Sequence, residues 1–145
     1  MTKDISISLI NLQTDETGEE HITELETTGF FFEKNGNLYI MYDEVDPDDG
    51  AVTGNTLKIH GSTVEINRKG AVKSHMLFES GSATDTSYIT SFGILHFQLQ
   101  THEVTVILGE SVGEIRLVYD LFQDDILLFQ CSMSIKIKAQ KKLLQ

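Results

Sequence analysis

Every extended segment in this chain is joined to the next by only a few residues, and that limits its architecture more than any other feature. Parallel strands need crossover connections of a dozen residues or more, so neighbouring strands here must pair antiparallel. The segments read as strands because apolar residues recur at every second position, and no window of about 11 residues shows helical periodicity. Extended segments are predicted near 20–34, 37–46, 51–60, 62–69, 71–80, 84–92, 93–101, 103–109, 113–122 and 125–138, after an opening strand through Ile5, Ile7 and Leu9. In that first strand Ile10 and Leu12 continue in the opposite phase, which a β-bulge would allow.

The turn residues support the same reading. Lys34-Asn35-Gly36-Asn37 is the strongest local signal, because Asn-Gly tolerates the positive φ angles of a type I′ turn. It predicts a hairpin of 20–34 with 37–46. Thr14 to Glu19 is a polar turn, and Asp46-Pro47-Asp48-Asp49-Gly50 holds the single proline. Gly29, inside the second segment, predicts a bend or bulge of the kind that closed barrels need at their corners. About ten strands in one open sheet would leave two exposed edges, which closure removes. The fold expected is therefore all-β: an antiparallel up-and-down meander closed into a barrel of about 8–10 strands, with a sandwich as the alternative.

The 145 residues suit one domain spanning 1–145, with 138–145 as a frayed tail. The N-terminus lacks a continuous apolar stretch, and no run approaches the ~20 apolar residues of a membrane span. A single cysteine, Cys131, cannot form an internal disulfide. A cytoplasmic protein without membrane association is expected. The net charge is −11 and uneven. Residues 1–60 carry 3 basic and 13 acidic side chains, a balance of −10; residues 61–145 carry 8 and 9, a balance of −1. Such a surface repels phosphate backbones and disfavours nucleic acid as a partner. It either serves solubility or receives a basic protein partner on the N-terminal half.

Strand alternation also finds polar residues on apolar faces. Arg68 follows Val64 and Ile66 and is assigned inward. Tyr42 and Glu44 follow Leu38 and Ile40, although the opposite face of that strand, Tyr39, Met41, Asp43 and Val45, is an equal candidate for the interior. A buried arginine is costly unless paired, and Glu44 is the candidate partner. The pair is either a structural ion pair or a guanidinium that receives an anionic ligand, with Tyr42 assisting. Tyr88 lies on a face rich in hydroxyls, and Tyr119 follows Ile115 and Leu117. His96 alternates with Leu95 and Phe97 in a strand expected to be buried on both faces. Tyr42, Glu44, Arg68, Tyr88, His96 and Tyr119 are thus the candidate lining of a ligand-binding interior.

No catalytic set, metal site or cofactor is predicted. The five histidines show no metal-ligand spacing, and there is no P-loop, GxGxxG or GxSxG motif. Cys131 sits on an apolar strand face, where an inert thiol is expected.

The segment Asn67-Arg68-Lys69-Gly70-Ala71-Val72-Lys73, followed by Phe78, Gly81, Thr84, Tyr88 and Ser91-Phe92-Gly93, resembles the YwiB-like family of small bacterial proteins. Thr27-Thr28-Gly29-Phe30 and Leu38-Tyr39-Ile40-Met41-Tyr42 fit the same pattern. The resemblance covers nearly the whole chain and is strongest over residues 27–93. It implies a barrel of the calycin type, the group that includes lipocalins and fatty-acid-binding proteins. The family is uncharacterised, so ligand binding follows by analogy of fold alone. The chain has no tryptophan, so the Gly-x-Trp signature of lipocalins is absent.

Three functions compete at this level. The first is a barrel binding a small amphipathic or anionic ligand near Arg68. The second is a protein-interaction or regulatory module that uses the acidic N-terminal half and holds no ligand. The third is an enzyme built on Glu44 with Arg68, Tyr88 or His96, for which no nucleophile–base spacing can be recognised.

Overall fold

Ten strands, taken from a computed structural model that describes residues 3–140, form the protein. They are β1 (Lys3–Asp15), β2 (Glu20–Lys34), β3 (Asn37–Val45), β4 (Val52–His60), β5 (Thr63–Gly70), β6 (Lys73–Phe78), β7 (Ala83–Thr90), β8 (Gly93–Leu108), β9 (Val112–Gln123) and β10 (Ile126–Ala139). Each pairs antiparallel with its sequence neighbours, and β1 pairs with β10 to close the barrel. No helix among the described residues is long and apolar enough to cross a membrane.

The turns behave as their residues dictate. Asn35 and Gly36 take φ of 54° and 79°, as a type I′ turn requires. Asp124 and Asp125 do the same between β9 and β10, with φ of 51° and 64°. Asp tolerates this region because its short side chain bonds the local backbone.

Four details differ from the sequence reading. The tail expected over 138–145 starts later, because Lys138 and Ala139 still pair with Ser6 and Ile5, and its residues 141–145 lie outside the described ones. The break near Thr101-His102-Glu103 is a bulge within the single long strand β8, where the register with β9 shifts between Thr101 and Glu103. The change of phase in β1 is not a bulge: its ladders to β2 and β10 run without interruption. Asn11 and Gln13 simply take the inward positions there, while Ile10 is 45% exposed on the outer face. The hairpin of β2 with β3 is also shorter than predicted. Only Phe30–Lys34 pair with β3, and the first half of β2 pairs with β1 alone.

Gly29 marks the point where β2 leaves β3. A Cβ there would collide with the Met41 carbonyl oxygen and come within 2.9 Å of Ile7 Cδ1. The glycine therefore serves close approach of two backbones rather than a bulge.

The interior has two halves. At the end that carries the β2–β3, β4–β5 and β8–β9 turns, Ile7, Ile40, Leu57, Val64, Phe78, Ile115, Leu117 and Ile135 are almost fully buried and belong to one core cluster. Each such side chain contributes roughly 1.5–3 kcal/mol by leaving water. Towards the other end the inward row becomes polar on β3 to β7, while Leu99, Leu121 and Cys131 carry the apolar core on along β8 to β10.

Candidate functional site

The polar half begins one inward position beyond the core. Leu57 pairs with Ile40 and Ile66, and Ile66 with Met76. Two residues along each strand, Tyr42, Asn55, Arg68, Ser74 and Tyr88 are successive register partners across β3 to β7. The open choice for β3 is resolved: Ile40 and Tyr42 are buried, and Met41 faces out. Asn55 escaped the sequence reading, though its signal was present, since it shares a face with Leu57 and Ile59.

Arg68 is held loosely. Its Nη2 donates to both Glu44 oxygens, each at 3.5 Å, the outer limit for such a contact. The Arg68 side chain is 23% exposed and that of Glu44 36%. Arg68 Nε is buried and has no hydrogen-bond partner among the described residues, and the same holds for Ser74 Oγ beside it. Asn55 is 2% exposed and donates from Nδ2 to the Thr53 carbonyl at 3.3 Å. Burial pushes the Tyr42 phenol up to about 12, with Glu44 adding to the rise and Arg68 opposing it. Tyr88 packs its ring edge-on against Phe97, with 5.6 Å between centroids, and its hydroxyl meets Met76 sulfur at 3.9 Å.

The wall beside Ser74 is splayed. β6 and β7 share only the register pairs Lys73–Ile89 and Ser74–Tyr88. Below them, threonine hydroxyls replace the missing ladder: Thr84 donates to the Leu77 carbonyl at 3.0 Å and Thr86 to the His75 carbonyl at 2.7 Å. This accounts for the hydroxyl-rich face of β7. A cleft of about 530 Å³ is lined by Arg68, Ser74 and Thr86, with Asn67, Lys69 and Lys73 also contributing. A larger groove of about 860 Å³ lies along β1, β10 and the β8–β9 hairpin, lined by Ser6, Ser8, Ile107, Val112, Lys136 and Lys138 among others. None of the buried unpartnered atoms lines that groove, so volume and chemistry point to different places. The chemistry favours the smaller cleft.

The six candidate residues divide. Tyr42, Glu44, Arg68 and Tyr88 share the wall just described. Tyr119 is buried in the interior on β9, edge-on to Phe78 at 5.0 Å. Burial raises its phenol well above the ordinary value, with Cys131 and Tyr88 adding to the rise. His96 is not in the interior. It pairs with Ser87 on the outer face, where Ser87 Oγ and His96 Nδ1 are 3.0 Å apart, and it is exposed. Leu95 and Phe97 hold the inward phase, so a strand expected to be buried on both faces is wet on one.

Asp15, Glu19 and His21 bring three ligand-type atoms within 4.8 Å of one another, a group that sequence spacing did not single out. Its contacts already explain it. Asp15 Oδ1 accepts from Thr17 N, Thr17 Oγ1 and Glu19 N, and His21 Nε2 lies 2.9 Å from Asp15 Oδ2. These bonds lock the β1–β2 turn.

The model of the family described as Domain of unknown function (DUF1934) matches residues 7–135. The chain belongs to the DUF1934 family. Within it, the chain is 32% identical over 111 residues to the uncharacterized beta-barrel protein YwiB of Bacillus subtilis (strain 168), covering 77% of each protein. It also superimposes on the crystal structure of the ywiB protein from Bacillus subtilis with a TM-score of 0.86. That match has 27% identity and covers 97% of this chain and 94% of the other. The DUF1934 match takes in both the core and the polar row from Tyr42 to Tyr88.

Proposed function

We propose that the polar half of the barrel binds a small anion-bearing molecule, with Arg68 and Ser74 as the donors that hold its charged group. One observation carries this reading: Arg68 Nε and Ser74 Oγ are buried register partners, and both lack a hydrogen-bond acceptor or donor among the described residues. Buried polar groups are normally satisfied, and a neighbouring pair left open needs an explanation. A carboxylate or phosphate oxygen would satisfy both at once, in the charge-assisted geometry that guanidinium groups favour.

Charge supports the same class of ligand. In a chain of net charge −11, Arg68, Lys69 and Lys73 all line one cleft, against the single carboxylate of Asp85. Its volume of about 530 Å³ falls in the range of small-molecule sites. Packing bounds the rest of the molecule. Aliphatic and aromatic side chains occupy the other half of the interior, so a long hydrocarbon tail has no room there. Ile89 is the apolar side chain on the lining of the cleft, and any apolar part of the ligand lies against it.

The test is an NMR titration of the 15N-labelled protein with inorganic phosphate and, separately, octanoate. Saturable shifts at Arg68, Ser74 and Asn55 that vanish in Arg68→Met are expected. Shifts absent with both anions, or unchanged in Arg68→Met, would overturn the reading.

A further inference from the structure

The barrel wall is incomplete at β2. Met41 of β3 is the last residue opposite β2, through its pair with Phe30. Among the described residues, β2 from Glu20 to Gly29 has β1 on one side and no strand on the other. Which backbone groups face the gap follows from the turns. The two-residue turn at Asn35-Gly36 makes Lys34 and Asn37 a hydrogen-bonded pair, so Phe32 and Phe30 also direct their N–H and C=O groups towards β3. Continuing the alternation, Ile22, Glu24, Glu26 and Thr28 direct theirs into the gap. The opposite turn agrees: Asp15 N donates to Glu19 O at 2.9 Å, which assigns the odd-numbered residues of β2 to the β1 ladder.

We infer that this open edge takes up a basic, extended segment of another protein as an added β-strand. The side chains at the edge choose the partner. Glu24 and Glu26 stand on the outer face, exposed, with Glu20 one turn of the pleat away and Ile22 63% exposed between them. Across the gap, Asp43 is exposed at the end of β3, and Asp46, Asp48 and Asp49 follow in its turn. These residues supply much of the charge imbalance of the first 60 residues. A strand laid against β2 would place its own outward side chains beside Glu24 and Glu26, where opposite charges stabilise a cross-strand pair and like charges oppose it. The acids therefore discourage a second copy of this chain, whose own edge carries the same glutamates, and favour lysine or arginine at alternate positions. Main-chain bonds supply affinity and the alternate side chains supply selection, as in other cases of strand addition. This surface is independent of the cleft at Arg68.

The experiment uses a synthetic peptide of about ten residues with lysine and valine alternating, and a second peptide with glutamate in place of lysine. Amide hydrogen exchange is read by NMR. In the free protein the amides of Ile22, Glu24 and Glu26 should exchange fast, while those of Thr23 and Leu25, tied to β1, exchange slowly. Saturating lysine peptide should slow exchange at Ile22, Glu24 and Glu26 at least tenfold, and the glutamate peptide should not. Binding should weaken as salt rises, since exposed charges are screened over ~8–10 Å at ordinary ionic strength. Glu24→Lys with Glu26→Lys should weaken binding at least tenfold. Glu24→Pro should do the same by removing one gap-facing N–H, and it spares the β1 ladder because proline is tolerated on a free edge. Peptide binding with no protection of these amides, or with full affinity in Glu24→Pro, would show charge attraction without strand addition and overturn the inference. So would equal binding of the two peptides.

Discussion

Arg68 and Ser74 are register partners on β5 and β6, and each buries a polar atom, Nε and Oγ, that meets no hydrogen-bonding group among the described residues. An unsatisfied buried group costs about 1–3 kcal/mol. Glu44 offsets little of this, because both of its contacts to Arg68 are 3.5 Å long and partly exposed, and such pairs contribute about 0–1 kcal/mol. Arg68→Met should therefore leave stability in urea unchanged within about 1 kcal/mol, or raise it, while anion binding is lost. A loss of about 3 kcal/mol or more would mark Arg68 as half of a structural ion pair instead. Ser74→Ala should likewise be neutral to stabilising in the same denaturation experiment.

Gly29 lets the β2 and β3 backbones approach closely beside Phe30–Met41, the last pair the two strands form. A Cβ at this position would strike backbone, the Met41 carbonyl, as well as Ile7 and Tyr42 side chains. Gly29→Ala should cost at least about 1–3 kcal/mol, the usual result of overpacking, measured as a lower urea midpoint with an unchanged slope. Gly54→Ala is the control. Its Cβ would meet nothing closer than 3.5 Å, so the mutation should be neutral or stabilise by up to about 1 kcal/mol. Equal losses at both positions would remove the close-approach argument.

The barrel was legible because strand period, short connections and Asn-Gly chemistry are local signals, and each one limits topology on its own. The inward assignment of Arg68 was legible for the same reason: it shares a face with Val64 and Ile66. His96 was misplaced because both phases of its strand are apolar, Leu95 and Phe97 on one side and Ile94 on the other, so alternation could not choose between them. The splayed wall at β6 and β7 was invisible, since Thr84 and Thr86 do their bridging through hydroxyls whose partners are set by three-dimensional spacing. The open edge of β2 was hidden for a related reason. The hairpin signal at Asn35-Gly36 speaks only for the residues near it, and where pairing ends depends on the crossing at Gly29.

Cys131 is buried, and its thiol is pushed up to about 11, first by that burial. The thiolate is the reactive form, so the native protein at pH 8 should react with a thiol-specific disulfide reagent at least a hundredfold more slowly than the urea-unfolded chain. Fast reaction of native protein would mean that the barrel opens near β10 on the timescale of the assay.

The β1–β2 turn should make stability depend on pH in a defined window. His21 has its pKa raised above 6.5, chiefly by the hydrogen bond to Asp15, and Asp15 is held well below 3.8 by Thr17 and then by His21. A raised histidine stabilises the fold fully below its unfolded pKa and loses that contribution as pH rises through the folded value. A depressed aspartate stabilises the fold above its unfolded pKa and loses that contribution as pH falls towards the folded value. Both contributions are present together between roughly pH 4 and 6.5, the two unfolded values. The melting temperature of the wild type minus that of His21→Gln should therefore be greatest near pH 5 and should shrink on going to pH 8. Because both side chains are at the surface, high salt should reduce the difference without moving the window. A difference that is flat from pH 5 to 8 would show that the Asp15–His21 contact is not populated in solution.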